Sequence, residues 1–156
     1  MKSLSKMLIA ACLVWFGTNA VKAQSSFSQD REMKAKEVKN FVHSKDYVFE
    51  ATREDMKGTD KALGYHRYDV ALAHDTLVAN LPGKSAPVKF DCTNYAYSSW
   101  QDNSGHWGVV IKPQDAMTDV KQIKMDISPQ GEAKIFVSRS DGPAMSFNGY
   151  IKQEQY

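Results

Sequence analysis

The stretch VKQIKMDISPQGEAKIFVSR, residues 120–139, alternates apolar and polar side chains on both sides of a turn signal. A type I turn at Ser128-Pro-Gln-Gly131 with a left-handed glycine gives a three-residue loop, so that paired positions sum to 260. Because the turn chemistry and the apolar face select the same register, the stretch predicts an antiparallel hairpin. The apolar pairs in this register are Ile127 with Ala133, Met125 with Ile135, and Ile123 with Val137.

The same period of two recurs along the chain after Asp46, with turn residues between most of the segments. It predicts a mainly β domain: an antiparallel β-barrel-like sheet, with a β-sandwich as the alternative. The predicted strands are Tyr47–Thr52, Tyr65–His74, Thr76–Leu81, Val88–Cys92, Asn94–Gln101, His106–Ile111, Val120–Ile127, Ala133–Arg139 and Met145–Ile151. In the last of them, Asn148-Gly149 has too little chain after it for a return strand, so Gly149 is predicted to be a bulge or a close-packing position.

One amphipathic segment precedes the strands. Apolar residues recur at helical spacing among Lys and Glu, which predicts one N-terminal α-helix at about 30–43 that packs on a single domain spanning 30–156. The residues of this stripe are Met33, Val38, Phe41 and Val42.

The N-terminus has the layout of an export signal. Lys2 and Lys6 precede about ten apolar residues, and short side chains follow up to Ala23. We predict a signal peptide at 1–23, cleavage after Ala23, a flexible polar leader at 24–29, and a periplasmic or secreted protein with no membrane span. The alternative is a lipoprotein acylated at Cys12, because Ile9-Ala-Ala-Cys12 resembles a lipoprotein cleavage box.

Charge and composition limit the classes of function. The 156 residues contain 20 Lys+Arg and 18 Asp+Glu, but three of the lysines lie within 1–23, which leaves 17 basic residues against 18 acidic ones. Without a basic surplus, bulk charge gives no support to a nucleic-acid partner.

After cleavage Cys92 is the remaining cysteine, so no intramolecular disulfide is expected. It alternates with charged residues, which predicts that its side chain is buried and has an apolar role.

The sequence contains none of the catalytic, metal-binding or phosphate-binding motifs considered below. The histidines, at positions 43, 66, 74 and 106, have no zinc-motif spacing, and there is no Gly-x-Ser-x-Gly nucleophile motif and no phosphate-binding glycine loop. We therefore predict no catalytic residue, no metal site, no cofactor and no enzymatic activity.

Aromatic residues are the candidate ligand-binding group. Tyr95 and Tyr97 share one face of a predicted strand, while Trp100 has the opposite parity. A two- or four-residue loop at Asp102-Asn-Ser-Gly105 places Trp100 opposite Trp107, which predicts a cross-strand aromatic pair in the core. These four side chains either line a ligand site, for instance by stacking on a sugar, or pack the core.

Several strand motifs, in their order, resemble those of the domain-of-unknown-function family 4251. The resemblance covers about residues 30–151 and implies an exported Bacteroidota protein with a compact β-barrel-like domain after an N-terminal helix. It implies no activity and no catalytic residue. The motifs are Tyr47-Val-Phe-Glu-Ala51, Asp75-Thr-Leu-Val-Ala-Asn-Leu-Pro82, Val88-Lys-Phe-Asp91, Gly131-Glu-Ala133, Val137-Ser138 and Met145-Ser-Phe-Asn-Gly-Tyr-Ile151.

The leading functional hypothesis is a non-catalytic envelope module that binds a small or apolar ligand, since small barrels can hold one. The alternative is a module that docks to another envelope protein and has a filled core. A hydrolytic enzyme ranks third, and the oligomeric state is left open.

Overall fold

The computed structural model describes residues 29–56, 59–64, 67–73, 75–83, 87–114 and 118–153. The chain divides into two compact units, Met1–Met33 and Lys34–Tyr156, and of the first only residues 29–33 are described. The predicted signal peptide at 1–23 and the leader up to residue 28 lie outside the described residues, as do the two cleavage alternatives at Ala23 and Cys12.

The described chain forms one helix, α1 at residues 29–44, and ten strands. Thr76–Leu81, Val88–Cys92 and Val120–Ile127 begin and end at the predicted residues. The strands are β1 Tyr47–Met56, β2 Thr59–Ala62, β3 Tyr68–Ala73, β4 Thr76–Leu81, β5 Val88–Cys92, β6 Tyr95–Gln101, β7 Trp107–Pro113, β8 Val120–Ile127, β9 Glu132–Arg139 and β10 Met145–Lys152.

The strands form one antiparallel sheet in the order β5-β4-β3-β1-β10-β9-β8-β7-β6. The first and last strands of the chain, β1 and β10, are neighbours near the middle of this order. The strands at its two ends, β5 and β6, follow one another in the chain, and the sheet is nearly closed. The predicted barrel-like fold is therefore confirmed over the alternative of a sandwich.

Strand β2 is missing from the predicted strands because all four of its residues are exposed and show no apolar alternation. It forms because β1 continues past the predicted end at Thr52 to Met56, and the extension pairs with β2 from Arg53↔Ala62 to Met56↔Thr59. The extension follows a bulge between Ala51 and Arg53 in the pairing with β10.

Alternate residues of the strands fill the interior with apolar side chains. Phe49, Phe147 and Ile123 are among the fully buried ones, and no polar residue in the described part of the chain is buried with them. The residues between them face outward, so the sheet has one apolar and one mostly polar face, as the period of two requires.

The β8–β9 hairpin has the predicted register. Gly131 has a φ of 86°, its N–H donates to the carbonyl of Ser128 at 3.0 Å, and Ser128 pairs with Glu132. Ile127 lies opposite Ala133, so the paired positions sum to 260.

The β6–β7 hairpin departs from its predicted register. Trp100 lies opposite Gly108, and Trp107 lies opposite Gln101, so the two indoles occupy opposite faces of the sheet. The predicted Trp100–Trp107 pair is therefore wrong. The reason is the loop, which has three residues and a left-handed Gly105 (φ 85°), and this glycine N–H donates to the carbonyl of Asp102 at 3.1 Å.

Helix α1 contacts the sheet through its C-terminal half. Val38 and Val42 are buried in the common core and Phe41 is partly buried, whereas Met33 is exposed and does not extend the apolar stripe as predicted. The helix ends at a left-handed Lys45 (φ 55°), whose N–H donates to the carbonyl of Phe41 at 3.0 Å. A left-handed residue of this kind is a common way to stop a helix.

Tyr47 lies at the start of β1 with its ring wholly buried and its hydroxyl 3.7 Å from the Met125 sulfur. Burial raises its pKa well above the ordinary value, and the neighbouring Tyr97 adds to the effect.

This shift predicts a loss of stability in alkali. Below about pH 10 the Tyr47 hydroxyl is protonated in both the folded and the unfolded protein. Above about pH 10 the unfolded chain ionises first, so the free energy of unfolding falls by up to about 1.4 kcal/mol per pH unit. In urea unfolding between pH 8 and about pH 11, Tyr47→Phe should flatten this decline, while the exposed Tyr150→Phe should not. Equal slopes for the wild type and Tyr47→Phe would contradict the prediction.

Candidate binding site

The structure does not bring the four predicted aromatic residues together. Tyr95, Tyr97 and Trp107 lie on the inner face of β6 and β7 and belong to the core or pack against it, whereas Trp100 lies on the outer face. Strand alternation correctly predicts that the two tyrosines and Trp100 lie on opposite faces of the sheet. It does not indicate which of the two faces is the inner one.

The inner aromatics are held by the helix. The Tyr97 hydroxyl donates to the carbonyl of Val42 at 2.9 Å, and the Lys45 ammonium lies 5.2 Å from the centre of the Tyr97 ring. Trp107 meets the ring of His43 edge to face at 5.2 Å. These contacts join the end of α1 to β6 and β7.

Burial sets the chemistry of the inner tyrosines. It raises the pKa of Tyr97, although hydrogen bonds from Tyr47 and Ser99 act in the opposite direction, and it also raises the pKa of Tyr95. Both hydroxyls therefore stay protonated at neutral pH.

Trp100 forms a flat platform on the outer face of the sheet. A Cβ atom added to Gly108 would lie 2.3 Å from both Cε2 and Cζ2 of the indole and 2.8 Å from Nε1, so the ring lies directly over this glycine. The side chain nevertheless remains 55% exposed. One side of the ring therefore covers the backbone while the other is open to solvent.

This arrangement predicts an energetic coupling between Trp100 and Gly108. Gly108→Ala should push the indole off the strand, whereas the same change in a Trp100→Ala background should be neutral or slightly stabilising because alanine suits a strand better than glycine. In a double-mutant cycle by urea unfolding we expect a coupling of about 1–2 kcal/mol.

A coupling below about 0.3 kcal/mol would mean that the indole does not rest on Gly108. The same four proteins report on the ring itself, since acrylamide quenching of Trp100 fluorescence should increase in Gly108→Ala.

A groove beside Trp100 runs over the outer faces of β6 to β9. Phe136, which is 44% exposed, forms its apolar wall, and the Lys134 ammonium lies 5.2 Å from the centre of the Phe136 ring. Its polar lining provides hydroxyl, carboxylate, imidazole, ammonium and amide groups. These belong to Ser98, Asp102, His106, Lys112, Gln122, Lys124 and Asp126.

A second groove continues toward β10 and β1. His106 and Asp126 line both grooves, and His106 Nδ1 lies 3.2 Å from Asp126 Oδ1. The far end of the second groove includes Arg53, Asn148 and Tyr150, and Tyr150 is 53% exposed. The outer face from β6 to β10 is thus one polar surface with an aromatic side chain at each end.

Asp102 organises the loop at one end of this surface. Its Oδ1 accepts hydrogen bonds from the Ser104 hydroxyl at 2.7 Å, the Ser104 N–H at 2.8 Å and the His106 N–H at 3.0 Å. The bond from the Ser104 hydroxyl is the main reason that the pKa of Asp102 lies below its ordinary value. Asp102 is therefore a structural carboxylate of the turn, and it fixes the position of His106.

The described part of the chain contains no candidate metal-binding cluster. Among those residues, no three His, Cys, Asp or Glu side chains come close enough to hold a metal ion. Of the four histidines, His43 packs on Trp107 and His106 on Asp126, while His66 and His74 lie outside the described residues. Cys92 is buried, as predicted.

These features define a nearly closed antiparallel β-barrel-like domain with one N-terminal helix and an outer groove flanked by aromatic side chains. The chain belongs to the DUF4251 family, because the family model described as "Domain of unknown function (DUF4251)" matches residues 29–151. The resemblance found in the strand motifs is thereby confirmed.

A solved structure shares this fold. The crystal structure of a DUF4251 family protein from Bacteroides eggerthii DSM 20697 superposes with a TM-score of 0.67 at 14% sequence identity, covering 78% of this chain and 88% of that one. No curated protein matches the sequence. Within the described residues, no helix combines the length and apolarity needed to cross a bilayer.

Proposed function

We propose that the protein is an exported, non-catalytic module of the cell envelope that binds a small ligand on the outer face of its sheet, at Trp100. The open face of the indole above Gly108 carries this proposal, because it is a rigid stacking surface beside a polar groove. A ligand with one flat apolar face and a polar rim fits such a surface.

The outer face is favoured over the interior because the inner aromatics already have partners within the protein. A ligand inside would have to displace the Tyr97–Val42 hydrogen bond or the His43–Trp107 contact, which hold the helix on the sheet. Binding at Trp100 leaves the core undisturbed.

Docking of another envelope protein is the second candidate, and the exposure of Phe136 within the same groove favours it. An exposed aromatic pair is typical of interaction surfaces, where a few aromatic anchors supply most of the affinity.

Native mass spectrometry of protein purified from its own envelope fraction tests the small-ligand proposal. The wild type should carry extra mass that denaturation removes, Trp100→Ala should carry none, and Tyr97→Phe, altered on the inner face, should retain it. If the extra mass persists in Trp100→Ala, or if none of the proteins gains mass after incubation with a concentrated low-molecular-weight envelope extract, the proposal fails.

The proposed export is tested by the denatured intact mass from the same sample. We expect a chain that starts at Gln24, which corresponds to cleavage after Ala23. A chain that starts at an acylated Cys12 would make the protein a lipoprotein, and an uncleaved start at Met1 would contradict export by this signal.

A further inference from the structure

The outer face contains a line of paired residues that crosses five strands and reaches β1. The strand registers connect each member to the next, so the line runs perpendicular to the strands. This cross-strand row consists of Trp100, Gly108, Asp126, Lys134, Asn148 and Arg53.

The cross-strand row is too long for one small ring. Because the Trp100 indole lies over Gly108 on β7, three strand steps separate it from Asn148 on β10, which at about 4.8 Å each give about 14 Å along the sheet. Tyr150 lies two residues beyond Asn148 on the same strand and the same face, so it places a second exposed aromatic ring beside this end of the row. A ligand that uses both rings must be a chain of linked units.

The charge along the two grooves is balanced. Four cationic side chains face four carboxylates, and Arg53 lies 3.4 Å from Asp60. With no surplus cation, the surface has no electrostatic preference for a polyanion. The charged lining residues are Arg53, Lys112, Lys124 and Lys134, and Asp60, Asp102, Asp126 and Glu132.

An extended peptide does not suit this surface. Peptides bind sheets chiefly by adding a strand to an open edge, where the backbone groups are unpaired. The cross-strand row instead crosses strands that are paired on both sides between β7 and β10. Its recognition groups are side chains alone, and they suit a ligand with many hydroxyl groups.

From these observations we infer that the ligand of the proposed site is a neutral oligosaccharide that lies across the strands and stacks on Trp100 at one end and Tyr150 at the other. Sugar rings present an apolar C–H face to an aromatic ring and hydroxyl groups at their rim. The side chains of Asp126, Lys134 and Asn148 lie between the two rings and would share hydrogen bonds between those hydroxyls and their partners in the protein, which are His106, Asp55 and Asp60. This inference rests on the proposed function and names the ligand class of the same site.

The test is isothermal titration of the wild-type protein with cellohexaose, xylohexaose, mannohexaose and maltohexaose. Hexagalacturonic acid is the anionic comparator. At least one neutral hexasaccharide should bind with a Kd below about 1 mM, and the anionic one should bind at least about tenfold more weakly. The disaccharide of the best ligand should also bind about tenfold more weakly, because it reaches only one ring.

Three variants locate the binding. Trp100→Ala and Tyr150→Ala should each weaken it by about fivefold or more, the loss expected for one stacked ring. Val78→Ala is the matched control: Val78 is an exposed apolar residue on β4, away from the two grooves, and its loss should leave the affinity unchanged. An unchanged thermal midpoint confirms that each variant is folded.

The outcomes separate the inference from the proposed function. If the native mass shows a Trp100-dependent ligand but no neutral hexasaccharide binds at about 10 mM, the ligand class is wrong and the Trp100 site stands. If binding depends on Trp100 but not on Tyr150, the row is wrong and the platform stands. If a hexasaccharide binds equally well to Trp100→Ala, both fail.

Discussion

Replacing Gly149 by alanine is expected to lower the free energy of unfolding by about 4 kcal/mol or more, at the extreme of single substitutions. A Cβ atom at this position would lie 1.9 Å from the carbonyl oxygen of Glu50 and 3.1 Å from the Cα of Ala51. Backbone atoms cannot turn away as a flexible side chain does, so β10 must separate from β1 where the two halves of the sheet meet. With a total stability of about 5–15 kcal/mol, such a loss leaves much of the protein unfolded.

Urea unfolding followed by circular dichroism measures this effect. Gly64→Ala is the matched control, because nothing lies within 4 Å of its added Cβ. It should change stability by no more than about 0.5 kcal/mol. A Gly149→Ala protein that unfolds within about 1 kcal/mol of the wild type would show that the two strands are not so close.

Truncation of Phe147 to alanine is expected to cost about 3–5 kcal/mol, the usual loss for a fully buried aromatic side chain. Phe147 lies on the inner face of β10, opposite Ile135, and has no exposed surface. The substitution loses the free energy of transferring the ring out of water, and it also leaves a cavity among the neighbouring strands.

Phe136 offers a control with the same chemistry. It lies on the adjacent strand β9, opposite Ser146, with its ring on the outer face. Phe136→Ala should cost less than about 1 kcal/mol by the same urea measurement. Similar losses for the two phenylalanines would contradict the assignment of inner and outer faces.

Local signals in the sequence accounted for most of the sheet. The hairpin 120–139 could be predicted to the residue because its turn and its apolar alternation select one register. The helix was also placed within one residue at each end. Strand β2 could not be found in this way, since its exposed residues pair only because β1 continues through a bulge.

The candidate binding site was harder to predict because its geometry depends on pairings between strands. The sequence placed Trp100 on the opposite face from Tyr95 and Tyr97, but it gave Trp100 the wrong partner. The signal that would have corrected this was present: Asp102-Asn-Ser-Gly105 has its glycine at the same place as Ser128-Pro-Gln-Gly131, and both loops have three residues. The cross-strand row needs the registers of six strands at once, which no local pattern contains.

The pairing of β1 with β10 also determines when the protein can fold during its synthesis. Phe49 meets Ile151 across this pair, so two contacting residues are separated by nearly the whole domain. A chain that emerges N-terminus first can form the hairpins β3–β4, β6–β7 and β8–β9 early, but β1 lacks one of its neighbours until β10 has been made. Contacts of such long range form slowly. We therefore expect the nascent chain to remain without its completed core until β10 has been synthesised and can pair with β1.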